Sequence, residues 1–295
     1  MKKTTLCLAL LSAACATTLT SCLDDNNGNN EKYTMQSTYD GNFSSIKDLE
    51  TNETYNCAGT VYKFYLEIAD QAKMDVTINN FRLGPDDVPT SITIPNLKLT
   101  VNNDGAYVGS AQDVQFYIGN QPHLMDNISV VYRDRVVNGN YRMVAAVDYT
   151  IDSQYQVTVI PTTAYFFGTM TSTDDASGTS FSKKNVPVTV TFKPASGTAD
   201  LAISGARFSE AMPRDMDMTF PGLTFKVTQT GYILEASEII PTINNDPFPA
   251  YPIKNLNLTA NNATGTMSGN FECTPGSLGL YRCSFDLKAV PDTTN

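Results

Sequence analysis

One histidine serves the whole chain, His123 in Gly119-Asn120-Gln121-Pro122-His123, so any histidine-based relay of protons or nucleophiles has to run through it. Such a relay also needs a serine or cysteine in an exposed elbow such as Gly-x-Ser-x-Gly, and none occurs. The residues around His123 read instead as an ordinary loop. Zinc asks for clustered cysteine and histidine at short spacing, which this sequence does not offer. Paired carboxylates, Asp215 with Asp217 or Glu235 with Glu238, are the residue types used in glycoside hydrolysis. In an acidic chain they read as solvated strand surface. Neither catalysis nor a metal or cofactor is expected on these grounds. Arg82 and Arg207 occupy matching places in two similar segments, and each could offer a cation to an anionic ligand. Their structural alternative is an arginine that closes a barrel end by bonding strand-end carbonyls and stacking on an aromatic ring. Tryptophan is absent, so a sugar-stacking platform would have to use tyrosines such as Tyr62, Tyr65 and Tyr107.

The N-terminus supplies different chemistry. Lys2 and Lys3 precede an apolar stretch from about Leu6 to Ala16, and small residues then lead to a cysteine, the order of a secretory signal. That stretch is shorter than the roughly 20 apolar residues a spanning helix needs, and no later segment supplies them. Leu19-Thr20-Ser21-Cys22 resembles the lipobox of bacterial lipoproteins, which implies cleavage between Ser21 and Cys22 and acylation of Cys22. Residues 1–21 are then a signal peptide and 22–37 a tether. Leu23-Asp24-Asp25-Asn26-Asn27-Gly28-Asn29-Asn30 is polar, acidic and unable to pack, as a flexible link should be. Its acidic start resembles the surface-export signal of Bacteroidota lipoproteins. It does not fit a calcium loop, because counting back from Gly28 puts Leu23 where the first aspartate ligand belongs. Acyl chains anchor a protein without an amphipathic helix.

The 20 basic and 30 acidic residues give a formal charge of -10, and loss of Lys2 and Lys3 leaves 18 against 30, or -12. Such acidity argues against nucleic acid and anionic headgroups as partners. Cys7 and Cys15 leave with the signal and Cys22 is modified, so Cys57, Cys273 and Cys283 remain. Thr274-Pro275-Gly276-Ser277 forms a turn between Cys273 and Cys283, so a disulfide across that last hairpin is expected, with Cys57 a small buried residue.

The elements that position these residues come from a duplication. Asp75, Ile78 and Arg82 in Met74–Leu83 fall opposite Asp200, Ile203 and Arg207 in Ala199–Phe208. Downstream, Ile94-Pro95-Asn96-Leu97 falls opposite Phe220-Pro221-Gly222-Leu223, Gly105 opposite Gly231, and Asn138-Gly139-Asn140-Tyr141 opposite Ser268-Gly269-Asn270-Phe271. Within each copy the apolar residues recur with a period near two: Tyr62, Phe64, Leu66 and Ile68 in the first, Val188, Val190 and Phe192 in the second. One-sided burial of this kind marks antiparallel sheet. Turns such as Asn102-Asn103-Asp104-Gly105 punctuate the runs.

About eight strands are expected per copy. They fall near 38–47, 59–69, 73–83, 91–101, 106–117, 127–134, 140–150 and 153–160, then near 164–172, 186–193, 198–208, 217–228, 231–240, 253–261, 264–273 and 280–289. The expectation is all-β, with two tandem eight-stranded antiparallel barrels at 38–162 and 163–295; a pair of β-sandwiches has the same periodicity.

Tyr39-Asp40-Gly41-Asn42-Phe43, Val76–Leu83, Ala211-Met212-Pro213 and Met218–Leu223, together with the lipobox, resemble Bacteroidota lipoproteins of unknown function with calycin-like (lipocalin-like) β-barrel domains. That resemblance implies an outer-membrane location and no assigned ligand. The function expected is a surface-exposed, non-enzymatic binding or interaction module for a small apolar molecule, a glycan or an envelope protein. A fimbrial or adhesin-like subunit is the alternative, and an envelope hydrolase ranks below both. An eight-stranded barrel has room for side chains or for one small ligand. If Phe64, Phe81, Phe192 and Phe225 point inward, the interior is full and the outer surface does the binding.

Overall fold

Residues that alternate between wet and apolar surroundings have to lie in a one-sided sheet, and nearly every such run becomes a strand. The computed structural model describes residues 33–39, 41–68, 72–84, 86–103, 106–137 and 140–290. The chain divides into two compact units between Ile160 and Pro161. The first holds β1 (Tyr33–Tyr39), β2 (Asn42–Asp48), β3 (Thr54–Ala58), β4 (Val61–Ile68), β5 (Lys73–Phe81), β6 (Thr90–Val101), β7 (Tyr107–Ile118), β8 (Gln121–Val137), β9 (Asn140–Ile151) and β10 (Tyr155–Pro161). The second holds β11 (Thr163–Asp174), β12 (Ser180–Lys193), β13 (Thr198–Ala206), β14 (Met216–Thr228), β15 (Gly231–Ile239), β16 (Thr242–Ile243), β17 (Asp246–Pro247), β18 (Ile253–Asn261), β19 (Thr266–Cys273) and β20 (Tyr281–Val290). Among the described residues there is no α-helix, and so no helix able to cross a membrane.

The second unit is a closed barrel. Its ring runs β11-β12-β13-β14-β15-β18-β19-β20 and returns from β20 to β11, with the β13–β14 pairing completing the ladder. The β16–β17 hairpin, turned by Asn244 and Asn245 in the left-handed region, is an appendix bonded to the edge of β14.

The first unit departs from the expected closed barrel. Its ten strands form one curled sheet in the order β1-β4-β5-β6-β7-β8-β9-β10-β2-β3, and no pairing among the described residues joins the two ends. The cause lies in its first strand. In the second unit β11 is one piece, bonded to β12 along one edge and to β20 along the other. The matching chain in the first unit, expected as a single strand over 38–47, breaks at Gly41, whose φ is 64°. Its first part, β1, bonds to β4, and its second part, β2, bonds to β10. The remaining edge of β2 is then taken by β3, with Ser44 opposite Cys57 and Ser45 opposite Asn56.

The two units match in how their strands bend. Where β5 meets β6 the register slips between Met74 and Val76, and where β13 meets β14 it slips between Ala199 and Leu201. At each slip the bulged strand carries a residue with positive φ after a proline, Asn96 at 58° and Gly222 at 70°. A carboxylate on the facing strand holds it: Asn96 N–H donates to Asp75 Oδ1 at 2.7 Å, and Gly222 N–H to Asp200 Oδ1 at 3.0 Å. A second slip recurs four residues on, between Ile78 and Phe81 and between Ile203 and Ala206, at Asn80 and Gly205.

Inward residues fill both units. Phe64, Phe81, Phe192 and Phe225 are all buried. Phe64 lies against Tyr132 and Phe81 against Tyr149, while Phe192 packs edge-on to Tyr232 with ring centroids 4.7 Å apart. The polar tips inside the first unit satisfy one another: Tyr62 Oη is 2.8 Å from Ser44 Oγ and 3.1 Å from Tyr149 Oη. Burial pushes both phenols above their ordinary range.

The bulge clasp sets an order of stability. Gly222→Ala has open space around the added methyl but a φ that alanine resists, so it should cost about 1–2 kcal/mol. Gly222→Asn installs the residue the first copy uses at that position and should cost less than half as much. Urea unfolding of the three proteins measures both; equal losses would show that the conformation at 222 is not what the site demands.

Candidate functional site

With the interiors filled, two concavities stand out, and both lie on the outer face of a sheet. One, of about 430 Å³, is lined by Lys98 of β6, Ser110, Ala111 and Gln112 of β7, and Asn127, Ile128 and Ser129 of β8. The other, of about 470 Å³, is lined by Thr224 and Lys226 of β14, Glu235, Ala236 and Ser237 of β15, and Asn255, Leu256 and Asn257 of β18. Both are shallow and open.

Strand register shows that they are the same place in the two copies. Tyr107 stands opposite Val101 and Tyr132, and Tyr232 opposite Val227 and Ala260, which fixes the alignment. Ser110 then corresponds to Glu235, Ala111 to Ala236 and Gln112 to Ser237. Opposite them, Ser129 corresponds to Asn257, Ile128 to Leu256 and Asn127 to Asn255, while Lys98 corresponds to Thr224. Every lining residue of the first depression has its counterpart in the second, which adds only Lys226.

A bulge next to each explains the shape. β8 slips against β9 between Met125 and Asn127, and β18 slips against β19 between Lys254 and Asn257, where Asn255 has a φ of 52°. The extra residue coils the strand and dishes the face beside it. Ile128 and Leu256 are buried in the cores, so their backbone forms the floors and short polar side chains form the rims.

Each depression is part of a longer polar row of directly opposed residues. In the first unit the row is Lys98, Ser110, Ser129, Asp148 and Thr158, crossing β6 to β10. In the second it is Thr224, Glu235, Asn257, Asn270 and Ser284. Charges in the second row are paired. Lys226 Nζ bonds Glu235 Oε2, Asn257 Nδ2 donates to Glu235 Oε1 at 3.3 Å, and Asn255 Nδ2 donates to Glu272 Oε2 at 2.9 Å. In the first row, Asp148 is a half-buried carboxyl whose Oδ1 accepts no hydrogen bond among the described residues. Burial pushes it up to about 7, against the opposing effect of the Thr158 hydroxyl. Nothing in the local spacing of Asp148 marks it out from the sequence; only the pairing across β8, β9 and β10 does.

The residues singled out by type are dispersed. Cys22 and Ser21 lie outside the described residues. Arg207 clamps its own loop, donating from Nε to Ser209 O at 3.2 Å and from Nη2 to Glu210 O at 3.0 Å and Met212 O at 2.9 Å, with Phe181 below it. The aromatic contact matches the structural alternative, but the carbonyls belong to the loop after β13 and not to strand ends. Arg82 is exposed, and its backbone carbonyl accepts the Tyr55 hydroxyl at 3.0 Å, so the two arginines have different surroundings. His123 sits in β8 rather than in a loop. Its Nδ1 is 2.6 Å from Asp152 Oδ2 and its ring stacks on Phe116, which ties down the turn between β9 and β10. Asp217 accepts Gly205 N–H at 2.8 Å and Asp215 pairs with Lys183, while Glu238 faces Lys254, so neither carboxylate pair converges on a common point. Tyr62 is buried, Tyr107 faces inward opposite buried Tyr132, and Tyr65 is half-buried opposite Asp75, so these three do not share one exposed face. No group of three or more His, Cys, Asp or Glu able to hold a metal occurs among the described residues.

Cys273 and Cys283 are free thiols, contrary to the expected disulfide. Cys273 stands opposite Tyr281 and Cys283 opposite Phe271, so the sulfurs are diagonal neighbours across β19 and β20, and diagonal positions lie beyond ordinary disulfide span. Burial pushes the Cys283 thiol up to about 12 and that of Cys273 higher still. Cys57 is also free and buried.

No family model matches the chain, and neither does any curated protein sequence. Among solved structures, a candidate outer membrane protein of Bacteroides fragilis is similar at 12% identity and a TM-score of 0.34, over 86% of this chain and 97% of that one.

The raised Asp148 predicts a pH dependence of known sign. Between the ordinary value of 3.8 and about 7 the folded chain keeps a proton that the unfolded chain releases, so stability falls as pH rises through that window. Asp148→Asn should flatten the slope and stabilise the protein at pH 8 by on the order of 2–4 kcal/mol. Thermal melts of both proteins from pH 4 to pH 8 read this directly; parallel curves would place the titration elsewhere.

Proposed function

We propose that the protein is a non-enzymatic binding module, held at the outer membrane by lipid on Cys22 and exposed at the cell surface, with two calycin-like units that bind through their outer faces. The observation that carries this reading is the filled interior: Tyr62, Tyr132, Tyr149, Phe81 and Met74 in the first unit, and Tyr232, Phe208, Phe220 and Phe271 in the second, are all buried. A carrier for a small apolar molecule would need that space. The dispersal of the acid, base and nucleophile candidates supports a role without catalysis. The lipobox and the acidic stretch behind it support anchoring and export. The formal charge of -10 supports a partner that is neither nucleic acid nor an anionic headgroup.

The unjoined ends of the first sheet favour a second reading, a fimbrial or adhesin-like subunit, because a strand from a neighbour could add to a free edge. Of the two edge strands, β3 is only five residues long, a length that discourages such addition, whereas β1 has seven.

Two measurements on protein made in its native host test the reading together. Cys22→Ala should move the protein from the membrane pellet to the soluble fraction, and native mass spectrometry of residues 31–295 should give a bare protein mass. A reproducible bound mass would restore the carrier, and a ladder of multimers stable in detergent would favour the fimbrial subunit.

A further inference from the structure

Independently of what either unit binds, we propose that two copies of the protein join edge to edge through β1, antiparallel about a twofold axis at Gln36, as a closed dimer. Of the strands at the open ends of the two sheets, β3 has five residues and β17 is the dipeptide Asp246-Pro247, which combines a charge with a proline. Short length, charge and proline all discourage the addition of a further strand. β1 has none of these protections. Its residues Tyr33-Thr34-Met35-Gln36-Ser37-Thr38-Tyr39 include no charge, no proline and no glycine. All seven pair with β4, which holds the strand extended, and among the described residues of the first unit no strand lies along its other edge.

The order of the residues identifies the occupant of that edge. Read backwards, the strand nearly repeats itself. With Gln36 opposite Gln36 of a second copy, Tyr33 falls opposite Tyr39, Thr34 opposite Thr38 and Met35 opposite Ser37, each twice. Directly opposed aromatic pairs and threonine pairs are combinations that stabilise antiparallel sheet. The flanking sequence continues the match: Lys32 precedes the strand and Asp40 follows it, so the same register sets opposite charges against each other at both ends of the ladder. A slip of one residue either way removes the Tyr–Tyr, Thr–Thr and Lys–Asp pairs together. The register also pairs odd positions with odd, so the core-facing side of each sheet, marked by Tyr39 against the first core, falls on the same side of the joined sheet. Such an interface is isologous and closes at two copies.

The test is made on the full-length protein in the membranes of its native host. Gln36 is exposed and is replaced by cysteine, with Thr34→Cys and Thr38→Cys as separate variants. The buried thiols of Cys57, Cys273 and Cys283 keep the background low. Under mild oxidation Gln36→Cys should cross-link to the mass of a dimer, because position 36 meets itself. Thr34→Cys and Thr38→Cys should each stay uncross-linked alone, since identical positions then lie about 13 Å apart along the ladder, yet should cross-link when the two are coexpressed. Sizing in detergent reads the flanking charges. Lys32→Asp or Asp40→Lys alone should weaken the dimer about tenfold, and the double swap should restore it, which an unfolded variant would not do. Absence of the Gln36→Cys cross-link, equal cross-linking of either threonine variant alone, or failure of the double swap to restore pairing would each overturn the proposal. Cross-linked ladders beyond two copies would overturn it as well, in favour of an open-ended assembly.

Discussion

Every antiparallel sheet ends in a strand with half its backbone hydrogen bonds unmade, and the disposal of that last edge determines most of what distinguishes the two units. The second unit closes its ladder through the β13–β14 pairing, leaving only a two-stranded hairpin outside the ring. Closure fixes the barrel radius, and with it the space that Phe192, Phe225, Tyr232 and Phe271 must fill. The first unit meets the same constraint with a chain broken at Gly41. Its two pieces serve the two edges separately, and the β2–β3 hairpin occupies the place where a full-length strand would have closed the ring.

The parts of this architecture legible in the sequence were those that follow from a local period. Alternating runs such as Val188, Val190 and Phe192 place strands whatever the global arrangement, and the Pro-Asn and Pro-Gly pairs at 95–96 and 221–222 mark equivalent bulges because they answer to local backbone geometry. Closure was not legible, since it depends on whether two distant edges meet, and a strand that breaks at one glycine has nearly the same composition as one that does not. The cysteines show the same limit. A turn between Cys273 and Cys283 brings two strands together, but a shift of two residues in register decides whether the sulfurs face each other or lie on a diagonal. The paired depressions were invisible for a related reason: Lys98, Ser110 and Ser129 are ordinary surface residues until three strands align them.

Outer and inner faces of these sheets carry different kinds of information. Inside, identity is set by volume, and polar atoms survive only where they satisfy one another, as Ser44, Tyr62 and Tyr149 do. Outside, residues are free of that demand, and the depressions recur there because a bulged strand lies beside each. The bulges link the two faces. A carboxylate such as Asp200 stabilises a local coil in the backbone, and coiling of this sort also dishes the surface beside β8 and β18.

The split first strand also has a mechanical side. A pull applied at Tyr33 acts on the start of a strand whose seven register pairs all lie with β4. Load therefore falls first on one short ladder, while β11, bonded along both edges, stands behind the whole of the first unit. Freeing β1 breaks that one ladder, whereas freeing β11 would break two, so resistance to a pull grows along the chain from the split strand to the closed barrel.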